Sequence, residues 1–459
     1  MTKLKLVEHY DAWTETIIEA KPPEFSEEAL ALRFAEQHAL DLRYVDMWSK
    51  WLVWDGKRWA VDETRKVFDL SRAICRTASA ECNSKHRSQL ASAKTVAATL
   101  SLSRADRRIA ATIEQWDSDP WLLNTPGGIV DLSVGESRQA IPQDYMTKMT
   151  AVAPGGQCPR FLTFLDEVTD GDRALCDFLQ RMFGYCITGS TREHGLFFFY
   201  GTGANGKSVL LNTISGILGD YHRTAPIETF TASSVDRHPT ELAGLQGRRL
   251  VTAIETEEGR RWAESRIKAL TGGDKIAARF MRADFFEYTP AFKLVIAGNH
   301  KPGLRSVDEA IRRRFHLIPF TVTIPEEKRD PDLAEKLAKE WPGILDWMIN
   351  GSMHWQEQGL KPPEAVTAAT RAYLEAEDAL SAWFDECCTR EPSAWETTGS
   401  LFASWRLWAD KAGEHPGSMK RFTQNLEVRG FMPERKRDAR GFRGIQLENK
   451  EGQEPYWSR

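Results

Sequence analysis

Residues Gly201-Thr202-Gly203-Ala204-Asn205-Gly206-Lys207-Ser208 follow the pattern G-x-x-x-x-G-K-[ST]. No other eight residues constrain the chain as much. Ahead of them, Leu196-Phe197-Phe198-Phe199-Tyr200 is the unbroken apolar run of a buried strand; behind them, Val209, Leu210, Ile214, Ile217 and Leu218 recur at helical spacing. Strand, glycine-rich turn and helix, in that order, make a phosphate loop. Its glycines turn backbone N–H groups toward phosphate, and the helix start adds partial positive charge. Lys207 neutralises β and γ oxygens, and Ser208 can hold Mg²⁺. Gly201 to Val209 is therefore the expected ATP site, with Mg²⁺ as the companion ion.

At 459 residues the chain is long enough for about two to four domains. A net charge of −4 argues against a uniformly basic nucleic-acid coat and leaves room for local patches. The seven cysteines form no C-x-x-C pair, which favours reduced thiols over a disulfide framework or zinc site. Met1 to Glu8 contain no apolar leader core, and no apolar stretch is long enough to span a bilayer. The expectation is a soluble, cytoplasmic protein with no membrane partner.

Pro22-Pro23 closes an N-terminal arm, residues 1–25, and Ser26-Glu27-Glu28 caps a helix running to His38. Asp55-Gly56-Lys57-Arg58, between Trp51-Leu52-Val53-Trp54 and Trp59-Ala60-Val61, is a hairpin signature. Its aromatics suit cross-strand packing better than a base-stacking platform. Residues 64–116 are mostly helical, with scattered Arg and Lys taken as a solvated face. A turn and short strand near Asn124 to Leu132 end a mostly helical α+β unit, residues 26–150. Residues 151–195 form a helical pair, collar or linker, and 196–330 the nucleotide core. Residues 331–378 are a helical extension ahead of a distinct segment, 379–459.

Within the core, the strand Arg249 to Ile254 runs into Glu255-Thr256-Glu257. Carboxylates at a strand end beside a phosphate loop can hold the Mg²⁺ hydration shell and polarise water. Glu255 is the metal-side acid and Glu257 the candidate base. A third strand, Phe292 to Gly298, ends at Asn299, which is either a sensor of the γ-phosphate or a turn residue. Arg312-Arg313-Arg314 follows, and adjacent arginines on a helix cannot share one task. One could reach a neighbouring protomer's γ-phosphate. Between these strands, Lys275 to Tyr288 reads as a hairpin with basic side chains near its tip, either a grip on a DNA backbone or a structural ribbon.

In the last segment, three helices (380–388, 398–412, 418–429) and two strands within 430–447 suggest a winged helix, whose third helix typically enters a DNA groove. Lys420, Arg421, Arg435, Lys436 and Arg437 are its candidate DNA contacts. Packing against neighbours is the competing use of such a fold.

The phosphate loop, Glu255-Thr256-Glu257, Lys268 with Leu270-Thr271-Gly272-Gly273-Asp274 and Arg279, Gly298-Asn299-His300-Lys301-Pro302, and Arg312-Arg313-Arg314 with Ile318-Pro319-Phe320 together resemble superfamily 3 helicases. The similar branch is that of phage and plasmid primases and the poxvirus primase-helicase. The resemblance implies an α/β fold: a P-loop AAA+ core with a parallel sheet, preceded by a mostly helical domain and followed by a winged-helix domain. It also implies a homo-oligomer, a hexamer, encircling one DNA strand during replication of a phage, plasmid or other mobile element. In that picture Lys207 and Ser208 bind ATP-Mg²⁺, Glu255 and Glu257 form the acidic motif, and Asn299 is the sensor. Arg313 or Arg314 acts in trans, Lys275, Arg279 and Arg282 line the channel, and Lys268 or Arg279 can brace the protomer interface. Duplex DNA meets the C-terminal domain. The first 150 residues carry no clustered primase carboxylates, so a separate primase or polymerase is the expected partner. A nucleotide-switched initiator or scaffold without strand separation is the alternative.

Overall fold

The computed structural model describes residues 21–83, 85–232, 240–255, 260–281, 284–304, 307–414, 416–436 and 439–448. Most of the N-terminal arm, and Glu257, Arg282 and Arg437, lie outside these residues, as does the side chain of Glu255. The chain divides into two units. The first holds the described residues up to Asp119 together with Arg138–Met149; the second holds Pro120–Ser137 and everything from Thr150 on.

In the first unit, the Ser26 hydroxyl accepts from Ala29 N at 3.1 Å and starts the helix Glu27–His38. Gly56, at φ +96°, turns the hairpin that joins Lys50–Trp54 to Trp59–Val61. Trp59 is fully buried, edge-on to Trp116 and stacked with Tyr145, so this aromatic belongs to the core. Helices Lys66–Glu81 and Ala93–Ser103 complete the unit, packing Val67, Ile74, Val96 and Leu100 against Leu30 and Phe34.

In the second unit, five parallel strands form one sheet in the order Phe315–Pro319, Leu196–Tyr200, Lys293–Gly298, Leu250–Glu255, His222–Thr224. Counted along the chain, that order is 5-1-4-3-2. Both faces are covered. Leu196 and Phe198 join a core with Val251, Leu294 and Leu317, while Phe197 and Phe199 pack on His316 and Phe183. Burial on both sides explains the unbroken apolar run.

Residues 120–137 pack with the sheet, a correction to the expected boundary at 150. Backbone groups decide it: Leu122 O accepts from Arg249 Nη2 at 2.6 Å, and Leu132 O from Gln356 Nε2 at 2.7 Å. Two strands, Leu122–Thr125 and Gly128–Asp131, replace the single expected one. The boundary at 378 also gives way, because Glu364–Cys387 is one unbroken helix of 24 residues. After it come strand Trp395–Thr397, helices Thr398–Ala412 and Met419–Val428, and strands Met432–Lys436 and Ala439–Arg443. The three strands form one antiparallel sheet, and the first of them has no counterpart in the expected pattern.

Helices Arg173–Ile187 and Trp341–Gln358 meet backbone to backbone at Gly184 and Gly351. A Cβ on Gly351 would lie 2.1 Å from Gln180 O, whereas one on Gly399 would meet nothing within 4 Å. Gly351→Ala should therefore destabilise the fold by about 1–3 kcal/mol in urea unfolding. Gly399→Ala should stay within about 0.5 kcal/mol.

Two sheet histidines are held neutral. His222 Nε2 lies 2.8 Å from Thr252 Oγ1, and His316 stacks on Phe197. Loss of hydration pushes both from 6.5 down to about 4. The unfolded chain binds these protons below about 6.5 and the native chain only near 4, so stability is complete above 6.5 and falls as pH drops between them. His316→Phe should flatten that decline in denaturant midpoints measured from pH 7 to 4.

Candidate functional site: a phosphate loop at the sheet's switch point

The first strand lies between the fifth and the fourth, so the connections leaving it and its neighbour diverge at its carboxyl end, where open parallel sheets place their ligand crevice. Tyr200 and Glu255 both pair with Gly298 across the sheet. The phosphate loop, the acidic strand end and Asn299 therefore arrive at one level.

The turn needs backbone that few side chains tolerate: Gly203 sits at φ +97°, Ala204 at +50° and Gly206 at +82°. A Cβ on Gly206 would also strike Val168 Cγ1 at 2.5 Å. Helix Lys207–Leu218 starts directly after it, presenting unpaired N–H groups to the loop. Lys207 is buried. Its Nζ donates to Gly201 O at 2.7 Å, Asn205 Oδ1 at 3.1 Å and Asn299 Oδ1 at 3.3 Å. Desolvation draws its pKa below the ordinary lysine value. Asn205 is fixed in turn by its Nδ2, which donates to Phe320 O at 3.0 Å. Gly203 to Val209, with Ile254, Ala297, Gly298 and Asn299, line a cavity of about 310 Å³. Gly201 is buried below it, Thr202 is exposed, and Ser208 is exposed within it.

The three adjacent arginines separate by burial. Arg314 is buried, with Nε donating to Thr271 Oγ1 at 3.1 Å and Nη1 to Ala310 O at 2.8 Å. Its guanidinium is committed within its own chain, which argues against a role in trans. Arg313 is exposed. Lys268 pairs with Asp308, which caps the turn ahead of these arginines. Lys268 and Thr271 thus tie helix Glu264–Gly272 to the arginine turn from within.

Strands Ile276–Ala278 and Phe286–Tyr288 form the expected antiparallel hairpin. Lys275 is exposed at its base, and the Arg279 guanidinium lies 4.7 Å from the Phe285 ring centre. Phe280, Met281 and Phe285 are exposed around it, an apolar rim that counting charges did not reveal.

In the C-terminal region, Lys420, Arg435 and Lys436 are exposed. Arg421 is exposed as well. With Gln424 and Asn425 it faces Arg260, Asn299 and Lys301 across a polar pocket of about 180 Å³ that Glu377 also lines. Glu377 is buried and accepts from Leu304 N at 3.0 Å; burial raises its pKa, opposed by Arg429 and Arg421. Tyr373, on the same long helix, donates to Pro302 O. The segment after Asn299 is thereby fastened to helix Glu364–Cys387. In the sequence Lys301 appears only within the Gly298-Asn299-His300-Lys301-Pro302 string, and Glu377 carries no local signal because its partner Leu304 N lies 73 residues away.

Of the two family matches, one includes the glycine-rich loop. Residues 31–170 match the family described as D5 N terminal like, and residues 199–314 match a family of unknown function, DUF5906. A putative helicase of Acanthamoeba polyphaga mimivirus is 24% identical over 318 residues, covering 64% of this chain and 33% of its own. One of Frog virus 3 is 24% identical over 337 residues, covering 69% and 33%. The chain spans about a third of the length of these curated relatives. A solved apo structure of the NrS-1 C-terminal region superposes with a TM-score of 0.47 at 11% identity, over 88% of this chain and 86% of that one, too distant to carry weight. The sequence matches make the chain similar, over part of its length, to D5-type proteins and to viral proteins named putative helicases.

Arg314→Ala should lower stability by about 1–3 kcal/mol, since Thr271 Oγ1 and Ala310 O lose a buried charged donor. Arg313→Ala should change it by less than about 0.5 kcal/mol. Urea titrations of the two variants test the division.

Proposed function

We propose that this chain is an ATP-driven, ring-forming DNA helicase of AAA+ architecture, hexameric, acting on single-stranded DNA in replication of a phage, plasmid or other mobile element. The observation that carries the proposal is the Lys207 ammonium, held where the first strand ends by Gly201 O, Asn205 and the Asn299 amide. Incoming β and γ oxygens would replace these acceptors. Asn299 would then be released to hold the γ-phosphate and water, so that nucleotide state is read by the segment leading to Lys301. The 5-1-4-3-2 strand order supports the same reading.

The loop fits a metal-bound triphosphate. Ser208 supplies a hydroxyl in the cavity and the strand ends at Glu255, oxygen ligands of the kind Mg²⁺ takes alongside phosphates. When bound, Mg²⁺ would neutralise charge on the β and γ oxygens. Glu257 is the proposed base, and Arg313 the residue offered to a neighbouring protomer's γ-phosphate. Lys275, Arg279 and Arg282 are the proposed hairpin grip. The C-terminal helices and three-stranded sheet are proposed as a winged helix using Lys420, Arg435, Lys436 and Arg437 on duplex.

One observation favours the nucleotide-switched initiator instead. The third C-terminal helix turns Arg421 toward the Asn299 segment, so nucleotide could govern whether that helix meets DNA.

Unwinding of a forked duplex separates the two. The motor reading expects an active wild-type chain, with Lys207→Ala and Glu255→Gln each lowering ATP turnover roughly 100-fold or more and abolishing unwinding. Arg313→Ala should be inactive yet still bind nucleotide. DNA binding that depends on nucleotide, with no strand separation by the wild type, establishes the switch and refutes the motor.

A further inference from the structure

We propose that helices Lys66–Glu81 and Ala93–Ser103 of the N-terminal unit, with the short helix Arg87–Leu90 between them, form a binding surface for the phosphate backbone of DNA, additional to the core hairpin and the C-terminal region. From Arg65 to Arg108 the sequence has ten Lys and Arg against three acids, a surplus of seven in a chain whose net charge is −4. A face that is merely solvated is best built from both signs, because a large single-sign field opposes folding.

The acids do not dilute the surplus. Glu81 is gripped by Arg33 at 2.7 Å, from a different helix; Asp69 pairs with Arg72 and Asp106 with Arg108, also at 2.7 Å. Lys66, Arg76, Lys85, Lys94 and Arg107 are exposed, and among the described residues none of them has a carboxylate partner. Arg65 and Arg104 are exposed too, each lying over a ring, Phe68 and Tyr44.

Periodicity gathers these charges. Arg72 and Arg76 fall about 40° apart on a helical wheel, with Arg65 at the helix's N-cap. They lie opposite the buried Val67, Ser71, Ile74, Cys75 and Ala78. Lys94 is likewise opposite the buried Thr95, Val96, Thr99 and Leu100. The two helices pack through these buried sides, with Ser71 Oγ donating to Val96 O at 3.0 Å and Cys75 Sγ 3.7 Å from Thr99 Oγ1, which leaves the cations on the outer sides of the pair.

Many of the exposed positions between the cations are small, Ala73, Thr77, Ala80, Ala97 and Ser101, with Leu102 the large exception on the second helix. A helix of 16 residues extends about 24 Å, the span of roughly seven phosphates of one strand. The cations outnumber the exposed amides here, Asn83 and Gln89, so the contact expected of this face is with the phosphate backbone.

The test uses the full chain without nucleotide. Affinities for a fluorescent single strand and the matching duplex are measured against salt, for wild type and for Arg76→Ser, Lys94→Ser and Arg107→Ser combined. Affinity should fall roughly tenfold, and the slope of log affinity against log salt should shrink by about 0.7 per charge on single strand or 0.9 on duplex. Which substrate shows the change identifies the form of DNA held. DNA-independent ATP turnover should not change. Removing Lys328, Lys339 and Arg371, exposed cations elsewhere, should leave binding intact. Unchanged affinity and slope in the triple variant, while Arg279→Ser weakens binding, would overturn the proposal; so would equal loss in the control set. If the triple variant fails to fold, each single replacement is measured for its own share of the slope. Unwinding by the wild type is a separate result, so the motor reading can fail while this one stands.

Discussion

The arrangement at the sheet's edge depends on one buried ammonium. Lys207 lies where water cannot fully hydrate it, and its three acceptors come from three places: the carbonyl that begins the loop, an amide within it, and the amide beyond the neighbouring strand. A hydrogen bond to a charged group contributes about 1.5–3 kcal/mol, and a buried charge without partners is far less stable. The acceptors therefore hold the site in a shape from which phosphate can displace them. Asn205 links this cluster to the last strand through Phe320 O, and Phe320 N donates back to Tyr200 O at 2.7 Å. The loop, the first strand and the fifth are thus one bonded unit.

The cations divide into two populations, and burial sorts them better than motif does. Arg249 and Lys293 are buried at the amino ends of their strands and donate to carbonyls of the helix end at Ile187 and Thr188. Cationic donors suit a helix carboxyl end, whose carbonyls have no partners within the helix. Burial pulls Lys293 down to about 7, yet its donors point at carbonyls and rings rather than into a cavity. It is a strut. Arg314 belongs with these two, whereas Arg313, one residue earlier, belongs with the exposed set.

Legibility followed the same division. The strand, loop and helix around Lys207 were readable because each residue type there answers to a local rule: apolar run, glycine turn, periodic helix. The hairpin at Gly56 and the cap at Ser26 were readable for the same reason. What could not be read were consequences of contacts distant in sequence. Residues 120–137 follow the sheet because Arg249 and Gln356, far along the chain, bond their carbonyls. Glu364–Cys387 runs on because Trp383 and Phe384 are needed in the last core while Tyr373 and Leu374 are needed in the preceding one. No local signal near residue 378 reports either demand.

That long helix bears on how a nucleotide event could travel. Its Tyr373 holds the backbone at Pro302, its Glu377 holds Leu304 N, and its far end packs beneath the C-terminal helices. Asn299 lies three residues before Pro302 and lines the cavity beside the glycine-rich loop. A shift of Asn299 toward a γ-phosphate would act first on this segment, then on a rigid helix whose buried carboxylate sits beside Arg429 and near Arg421 and Lys301. Coupling of this kind needs two arrangements that the nucleotide distinguishes, not distance alone. The pocket between Arg421 and Asn299 supplies a contact that can be present in one arrangement and absent in the other. Arg421 is exposed and also lines this pocket, so a change at Asn299 would be felt beside a side chain that solvent and a polyanion can both reach.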